Sequence, residues 1–149
     1  FFAQYDFVII YHGMVIRDEL NAISDYRYMI TDYSPITTER LNKELSRKED
    51  TLKYHIIYRN KVSGKIQEKM VLHELGIPEK NVKESYVLSF NEVDEMNQLF
   101  LLRNGSIRTK TSSAEIKDFI NAVYATIYPD LSSKMQKNYM KAFVNGKVR

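Results

Sequence analysis

An alternation of apolar runs and helix-forming segments in the first 46 residues most constrains how this chain folds. Tyr5–Tyr11 is aromatic and β-branched, ends at His12-Gly13, and predicts a buried strand. Val15–Ile23 predicts a short helix, and Tyr26–Thr31 predicts a second strand. A second helix is expected to begin at Ser34-Pro35, because serine favours the N-cap and proline is tolerated at the first helical position. The order strand–helix–strand–helix implies parallel pairing of neighbouring strands, and therefore an α/β fold.

The middle of the chain is less regular. Leu52–Tyr58 and Lys65–Leu72 flank Arg59–Gly64, and the pattern predicts either a hairpin or an insertion with a mobile tip. His73–Lys80 contains a glycine and a proline, which predict a helix stop followed by a loop.

The later strands are predicted around one short helical segment. Ser85–Phe90 and Leu99–Arg103 are expected to be strands, with one or two helical turns in Asn91–Asn97 between them. A further short strand, Ser106–Lys110, is expected after the Asn-Gly turn.

The clearest helical signal follows these strands. Ser112 and Glu115 form a candidate capping box, and apolar residues then recur at spacings of three and four until Pro129. Leu131–Val144 predicts a last basic helix or tail. Since no repeat or long linker interrupts the chain, we expect one compact α/β domain over residues 1–149, with 47–84 as an insertion and 131–149 as a basic tail.

The charge is unevenly distributed. Residues 1–39 hold two basic and six acidic side chains, whereas residues 40–149 hold twenty basic and thirteen acidic ones. From Leu131 to Arg149 there are five basic residues and no acid. A patch of one sign attracts a partner of the opposite sign, and nucleic acid is the usual polyanion. Solvated surface charge is the alternative interpretation.

Several kinds of site are excluded by missing residues. The chain has no cysteine, which excludes a disulfide scaffold, a thiolate zinc site and a cysteine nucleophile, and which fits a reducing compartment. Its three histidines are scattered without metal-ligand spacing, so each is expected to be a surface or structural residue. There is no glycine-rich phosphate loop, and the apolar runs are too short to cross a bilayer. We therefore expect a non-enzymatic protein without a metal, cofactor, small-molecule substrate or membrane contact.

Two short matches point to enzymes. Thr31-Asp32-Tyr33-Ser34 resembles a stretch of the CDP-glycerol glycerophosphotransferases, but that family needs a much larger two-domain fold. A turn residue at Asp32 and a capping residue at Ser34 are the preferred interpretation. Pro129-Asp130 resembles part of a nuclease motif, but no acid follows Asp130, so the second metal-holding carboxylate is missing.

The order of elements resembles the large-subunit ribosomal protein ten family, which forms the base of the ribosomal stalk. The resemblance covers roughly residues 1–46 and 85–130. Its segments are the first strand and turn Phe7–Gly13, the first helix Val15–Ile23, the second strand Tyr28–Ile30, the second helix Ile36–Leu45, the late strand Gln98–Leu102 and the late helix Ser112–Tyr128 with Pro129 after it. The resemblance implies a structural protein that binds large-subunit ribosomal RNA and neighbouring ribosomal proteins.

The chain departs from that family at three places. Asp32-Tyr33-Ser34 stands where the family commonly has a Lys-Asn-Thr-like stretch that faces RNA. The segment 47–84 is longer and more basic than the family's linker. Little chain follows Pro129, where the family has the long helix that holds the stalk dimers. A divergent member without cysteine, whose sequence opens Phe1-Phe2, suits a mitochondrial ribosome; a cytoplasmic location is the alternative. That opening is expected either for a mature form after removal of a targeting peptide or for a cut fragment.

If RNA is the partner, its phosphates would meet lysine and arginine side chains in a sequence-independent way. The candidates lie at the second helix, at the predicted hairpin tip and on the tail. They are Arg40, Lys43, Arg47, Lys48, Arg59, Lys61, Lys65, Lys134, Lys137 and Lys141. The last three are spaced three and four apart, so on a helix they share one face.

Two other functions stay open at the level of sequence. A viral or phage assembly protein would act through protein–protein contacts, by self-association or by strand addition at a sheet edge. A small transferase or nuclease would depend on Asp32 or Asp130.

Overall fold

A computed structural model describes residues 8–13, 15–46, 52–104, 111–130 and 132–144. The chain folds into two compact units, one of residues 1–59 and 63–86, the other of residues 60–62 and 87–149. The elements in chain order are α1 (Asp18–Ala22), β1 (Tyr28–Thr31), α2 (Pro35–Leu45), β2 (Tyr54–Lys61), α3 (Glu68–Leu75), a 3₁₀ turn (Glu79–Asn81), β3 (Val82–Ser89), α4 (Glu92–Asn104), α5 (Ala114–Ile127) and α6 (Ser133–Val144).

The three strands form one parallel sheet in the order β1-β2-β3, which confirms the α/β class. β1 and β2 pair in register, with Tyr28 opposite His55 and Thr31 opposite Tyr58. α2 connects β1 to β2 and α3 connects β2 to β3, and these two helices lie against each other. Parallel strands need such a crossover connection, because the chain must return to the end of the sheet where the previous strand began, whereas a tight turn would leave the two strands antiparallel.

The core of the first unit lies between the sheet and these helices. β2 contributes five consecutive buried residues, Tyr54–Tyr58, as expected for the central strand of a parallel sheet. Alternate side chains of β2 point towards α2 and α3, where Leu41 and Leu75 are buried with them. The buried cluster is Met29, Leu41, Tyr54, Ile56, Tyr58, Val71, Leu72, Leu75 and Ile77.

The predicted hairpin around Arg59–Gly64 is wrong. Its second arm, Lys65–Leu72, overlaps α3, whose buried residues Val71, Leu72 and Leu75 have helical spacing. The helix ends at Gly76, which has a positive φ of 69° and donates its backbone N–H to the carbonyl oxygen of His73. A short apolar run is compatible with either a strand or a buried helix, and the residues after the run, Leu75 and Gly76, identify the helix here.

The predicted late strand Leu99–Arg103 is also wrong, because this segment belongs to α4. Asn91 precedes the helix, and its Oδ1 accepts hydrogen bonds from the N–H groups of Val93 and Asp94 at 3.0 and 3.3 Å. Acidic residues fill the first turn and Arg103 lies in the last, an arrangement that the helix dipole favours. The leucines that suggested a strand are equally good helix formers.

Two further segments, Tyr5–Tyr11 and Ser106–Lys110, are predicted as strands. Residues 8–11 of the predicted first strand form no strand, and Ile9 and Tyr11 are 80% and 87% exposed, because no described strand pairs with them. The rest of that segment, and the predicted strand Ser106–Lys110, lie outside the described residues. The remaining predicted strands and helices are present, with β2 and β3 shifted by a few residues.

The second unit contains α4, α5 and α6. Ser113 rather than Ser112 caps α5, since its Oγ accepts a hydrogen bond from the N–H of Ile116 at 3.2 Å. The Glu115 carboxylate instead accepts from Ser89, at 2.6 Å from the backbone nitrogen and 2.9 Å from Oγ. Asp94 of α4 accepts a hydrogen bond from the N–H of Ser113 at 2.9 Å, which ties the two helices together. None of the described side chains of this unit is buried.

Candidate nucleic-acid interface

α6 is a helix because its sequence combines good helix formers with a serine before it. Ser132 Oγ accepts a hydrogen bond from the N–H of Met135 at 3.4 Å, at the start of the helix. Lysine, methionine, glutamine and alanine dominate the helix, and Lys141 lies in its last turn, where a cation is favourable. The predicted basic tail is therefore helical over Ser133–Val144.

Aromatic packing fixes the orientation of α6. The ring of Tyr139 lies 5.3 Å from the ring of Tyr124 on α5, and Tyr124 lies 4.9 Å from Tyr128. Burial in this cluster raises the pKa of Tyr124, with smaller contributions from the two neighbouring tyrosines. These contacts identify the face of α6 that packs on α5.

The three lysines of α6 lie on the opposite face. At about 100° per residue, Lys134, Lys137 and Lys141 cluster around a direction roughly opposite that of Tyr139. All three side chains are exposed. They cover about 10 Å along the helix axis, at 1.5 Å per residue. We call these three residues the lysine face.

The lysine face makes no ion pair with any carboxylate that the structure describes. Its stretch of sequence, Leu131 to Arg149, contains no aspartate or glutamate. Within the described part of the chain, no carboxylate lies at ion-pair distance from Lys134, Lys137 or Lys141. Three exposed ammonium groups on one face produce a local positive potential that attracts anions.

The other candidate cations belong to segments of the chain other than α6. Arg40, Lys43 and Lys65 are exposed in the first unit, where Lys43 forms an ion pair of 2.7 Å with Glu39 one helical turn away. Arg59 and Lys61 are partly buried and interact within the chain. The two remaining candidates, Arg47 and Lys48, lie outside the described residues.

His55 is the most unusual titratable group of the first unit. It is 3% exposed in the middle of β2, and its ring stacks on Tyr28 at 4.7 Å. Its Nδ1 lies 3.3 Å from Glu84 Oε2, but the geometry is not that of a hydrogen bond. Burial lowers the pKa of His55, and Lys83 lowers it further, while Glu84 opposes the shift. The lowered pKa favours the neutral form of His55. The position of His55 in a predicted strand could have identified it as a structural residue of the sheet.

The segment that resembles the transferase stretch has structural roles. Asp32 Oδ1 accepts a hydrogen bond from the N–H of Ser34 at 2.8 Å, which confirms Asp32 as a turn residue. Ser34 occupies the N-cap of α2, but its side chain makes no capping hydrogen bond. Tyr33 donates its hydroxyl to Glu68 Oε1 at 2.7 Å, and burial together with Glu68 raises the pKa of Tyr33. Each of the polar side chains Asp32 and Tyr33 thus has a partner within the first unit.

The described residues offer neither a metal-binding cluster nor a membrane-spanning helix. No group of three histidine, cysteine, aspartate or glutamate side chains among them is arranged to hold a metal ion. No described helix is long and apolar enough to cross a bilayer. The chain matches no protein-family model, no curated protein sequence and no solved structure.

Proposed function

We propose that this protein is a non-enzymatic RNA-binding component of a ribonucleoprotein particle, and that the lysine face of α6 contacts RNA phosphates. The observation that carries the proposal is the arrangement of Lys134, Lys137 and Lys141, which are exposed, lie on one helix face and make no ion pair with a described carboxylate. Tyr124 and Tyr139 hold the opposite face of the helix against α5. A basic face on a helix that packs through its other side presents its cations together to a polyanion.

The resemblance in the order of elements narrows the proposal to ribosomal RNA at the base of the large-subunit stalk. A mitochondrial ribosome is the proposed location. The support for this narrower step is the sequence pattern, of which β1, α2 and α5 keep the expected type. Residues 8–11 of the first strand form no strand, and the late strand is replaced by α4. The proposed binding of RNA by the lysine face requires only phosphate groups, so it does not depend on the assignment to the ribosomal stalk.

Phosphate contacts of this kind fix orientation without reading sequence. Lysine ammonium groups meet phosphate oxygens as point charges and release condensed counterions when they bind. The proposal therefore predicts binding to structured RNA with little preference for base sequence. Any preference would come from the shape of the RNA and from neighbouring proteins.

A binding measurement on two matched triple variants tests the proposal. The variant K134Q/K137Q/K141Q removes the lysine face, and K53Q/K69Q/K80Q removes three exposed lysines of the first unit. We expect the first variant to lose at least about tenfold in affinity for purified large-subunit ribosomal RNA, measured by fluorescence anisotropy at low salt. The second should bind almost as well as the unaltered protein.

Equal losses in the two triple variants would mean that only net charge matters, and would contradict the proposed site. No measurable binding by the unaltered protein would contradict the proposed function. Co-sedimentation of the unaltered protein with large ribosomal subunits, and its absence from the small subunit, tests the narrower assignment.

A further inference from the structure

Helix α4 has an inward and an outward face. Its inward side carries Asp94, which accepts from the N–H of Ser113, and Asn97, whose Oδ1 accepts from the hydroxyl of Thr111 at 3.0 Å. Helical geometry places Met96 and Leu99 roughly opposite these residues. These two side chains are 64% and 51% exposed, so apolar surface faces away from the rest of the unit.

The outward face of α4 has a symmetrical pattern. Glu92, Met96, Leu99 and Arg103 follow one another at spacings of four, three and four, which is one stripe of a helix. The stripe carries an acid at its amino end, two apolar residues at its centre and a base at its carboxyl end. Leu102, which is 73% exposed, adds apolar surface beside it.

This pattern is complementary to itself when one copy is reversed. Met96 and Leu99 lie at equal distances on either side of the midpoint between residues 97 and 98, and so do Glu92 and Arg103. Two such helices that pack antiparallel about a twofold axis would therefore place Met96 against the partner's Leu99 and Glu92 against the partner's Arg103. Each contact would occur twice, as a twofold interface requires.

We propose that α4 is a homodimer interface, at which a second copy of this chain packs antiparallel through Glu92, Met96, Leu99 and Arg103. A second copy fits better than an unrelated partner, because the charges at the two ends of the stripe match only when the same stripe is reversed. The interface consists of one pair of 13-residue helices, so it is small and the dimer forms reversibly with rising concentration. The lysine face lies on α6, so this proposal does not depend on RNA binding.

Sedimentation velocity of the full chain over a wide concentration range tests the dimer. The unaltered protein should shift from monomer to dimer as its concentration rises. M96E/L99E should weaken the dimer by at least about tenfold, because it places acids in the apolar centre of the interface. I36E changes an apolar residue of α2 that is 65% exposed, and should leave the dimer unchanged.

Charge reversal tests the antiparallel arrangement itself. E92R and R103E each place like charges at both ends of the stripe and should weaken the dimer. E92R/R103E restores opposite charges across the interface and should recover most of the lost affinity. An unrelated partner would not show this recovery. Circular dichroism of each variant confirms that these exposed substitutions leave the helices folded.

Cross-linking gives a second measurement, since the chain contains no cysteine of its own. A mixture of M96C and L99C proteins should form a disulfide-linked heterodimer under mild oxidation, more readily than a mixture of I36C and L99C. A monomer at every concentration would overturn the proposal. A dimer insensitive to M96E/L99E, a double reversal without recovery, or capture of a different protein by a monomeric chain would also overturn it.

Discussion

At the scale of single residues, His55 shows what burial does to a titratable side chain. Its imidazole lies in the central strand beside Tyr26, Tyr28 and Glu84, and burial lowers its pKa below the usual value. In the unfolded chain the same imidazole binds a proton at its ordinary pKa of about 6.5. The two states therefore differ in proton uptake in a window below that value.

Stability should consequently fall as the pH is lowered through this window. Below about pH 6.5 the His55 imidazole binds protons more readily in the unfolded chain than in the folded one, so the free energy of unfolding rises with pH in this range. Above about pH 6.5 the imidazole is neutral in both states, and its titration no longer changes the free energy of unfolding. Urea denaturation at a series of pH values measures this slope. H55F should flatten it, whereas H73Q, at an exposed position of α3, should leave it unchanged. An equal slope in H55F and the unaltered protein would contradict the account.

Gly76 is a residue whose backbone requires glycine. Its φ of 69° lies in the left-handed region, and a Cβ built there would lie 3.1 Å from Asn42 Nδ2, which donates to the carbonyl oxygen of Glu74. G76A should therefore lower the free energy of unfolding by about 1–2 kcal/mol, from backbone strain and disturbance of this hydrogen bond. Gly64 has no atom within 4 Å of such a Cβ, so G64A should cost little. Equal urea midpoints for the two variants would be inconsistent with this interpretation.

At the scale of elements, periodicity decides which parts of the fold can be predicted. α5 has apolar residues at spacings of three and four over 14 residues, long enough to identify a helix from sequence alone. α3 and α4 contain apolar runs of three or four residues, which also suit a strand. Their helical character depends on residues outside those runs, such as Leu75 in α3 and Asn91 before α4.

The start of α5 shows how a distant contact shifts a predicted helix cap by one residue. Both Ser112 and Ser113 precede the helix, and the capping-box spacing from Glu115 selects Ser112. In the structure Glu115 binds Ser89 instead, which leaves the cap to Ser113. A contact with a residue 26 positions away cannot be read from the local pattern.

Serine substitutions distinguish the two caps. S113A removes the acceptor of the Ile116 N–H and should lower the free energy of unfolding by about 1 kcal/mol. S112A should have a much smaller effect, because the Ser112 side chain does not cap the helix. Thermal or urea unfolding of both variants measures the difference. A larger loss in S112A than in S113A would contradict the assigned cap.

At the scale of the whole molecule, burial is distributed unequally. Every buried apolar side chain among the described residues belongs to the first unit, and most lie on β2 and α3. The second unit has a network of polar contacts from Ser89 and Asp94 to α5, with an aromatic cluster between α5 and α6. The two units should therefore differ in local stability.

Hydrogen exchange measures this difference. Amides of β2 and α3 should exchange more slowly than those of α4, because opening β2 exposes a buried core and opening α4 does not. The exchange should be measured at low protein concentration, where the proposed dimer does not form and cannot protect the amides of α4. Protection of α4 equal to that of β2 under these conditions would show that burial does not govern local stability here.

The candidate interface could be predicted only in part from the sequence. The spacing of Lys134, Lys137 and Lys141 and the absence of acids identify a basic helix face. The packing of Tyr139 on Tyr124, which sets the direction of that face, needs the structure. The same holds for Lys43, whose ion pair with Glu39 makes it a weaker candidate than its charge suggests.

The salt dependence of RNA binding tests the central claim most directly. The logarithm of the affinity should fall linearly with the logarithm of the salt concentration, and K134Q/K137Q/K141Q should reduce the magnitude of that slope by about 2 to 3, for three lost phosphate contacts. K53Q/K69Q/K80Q should keep the slope of the unaltered protein. An affinity that does not change with salt, or an equal slope in both triple variants, would contradict the claim that the lysine face of α6 binds RNA.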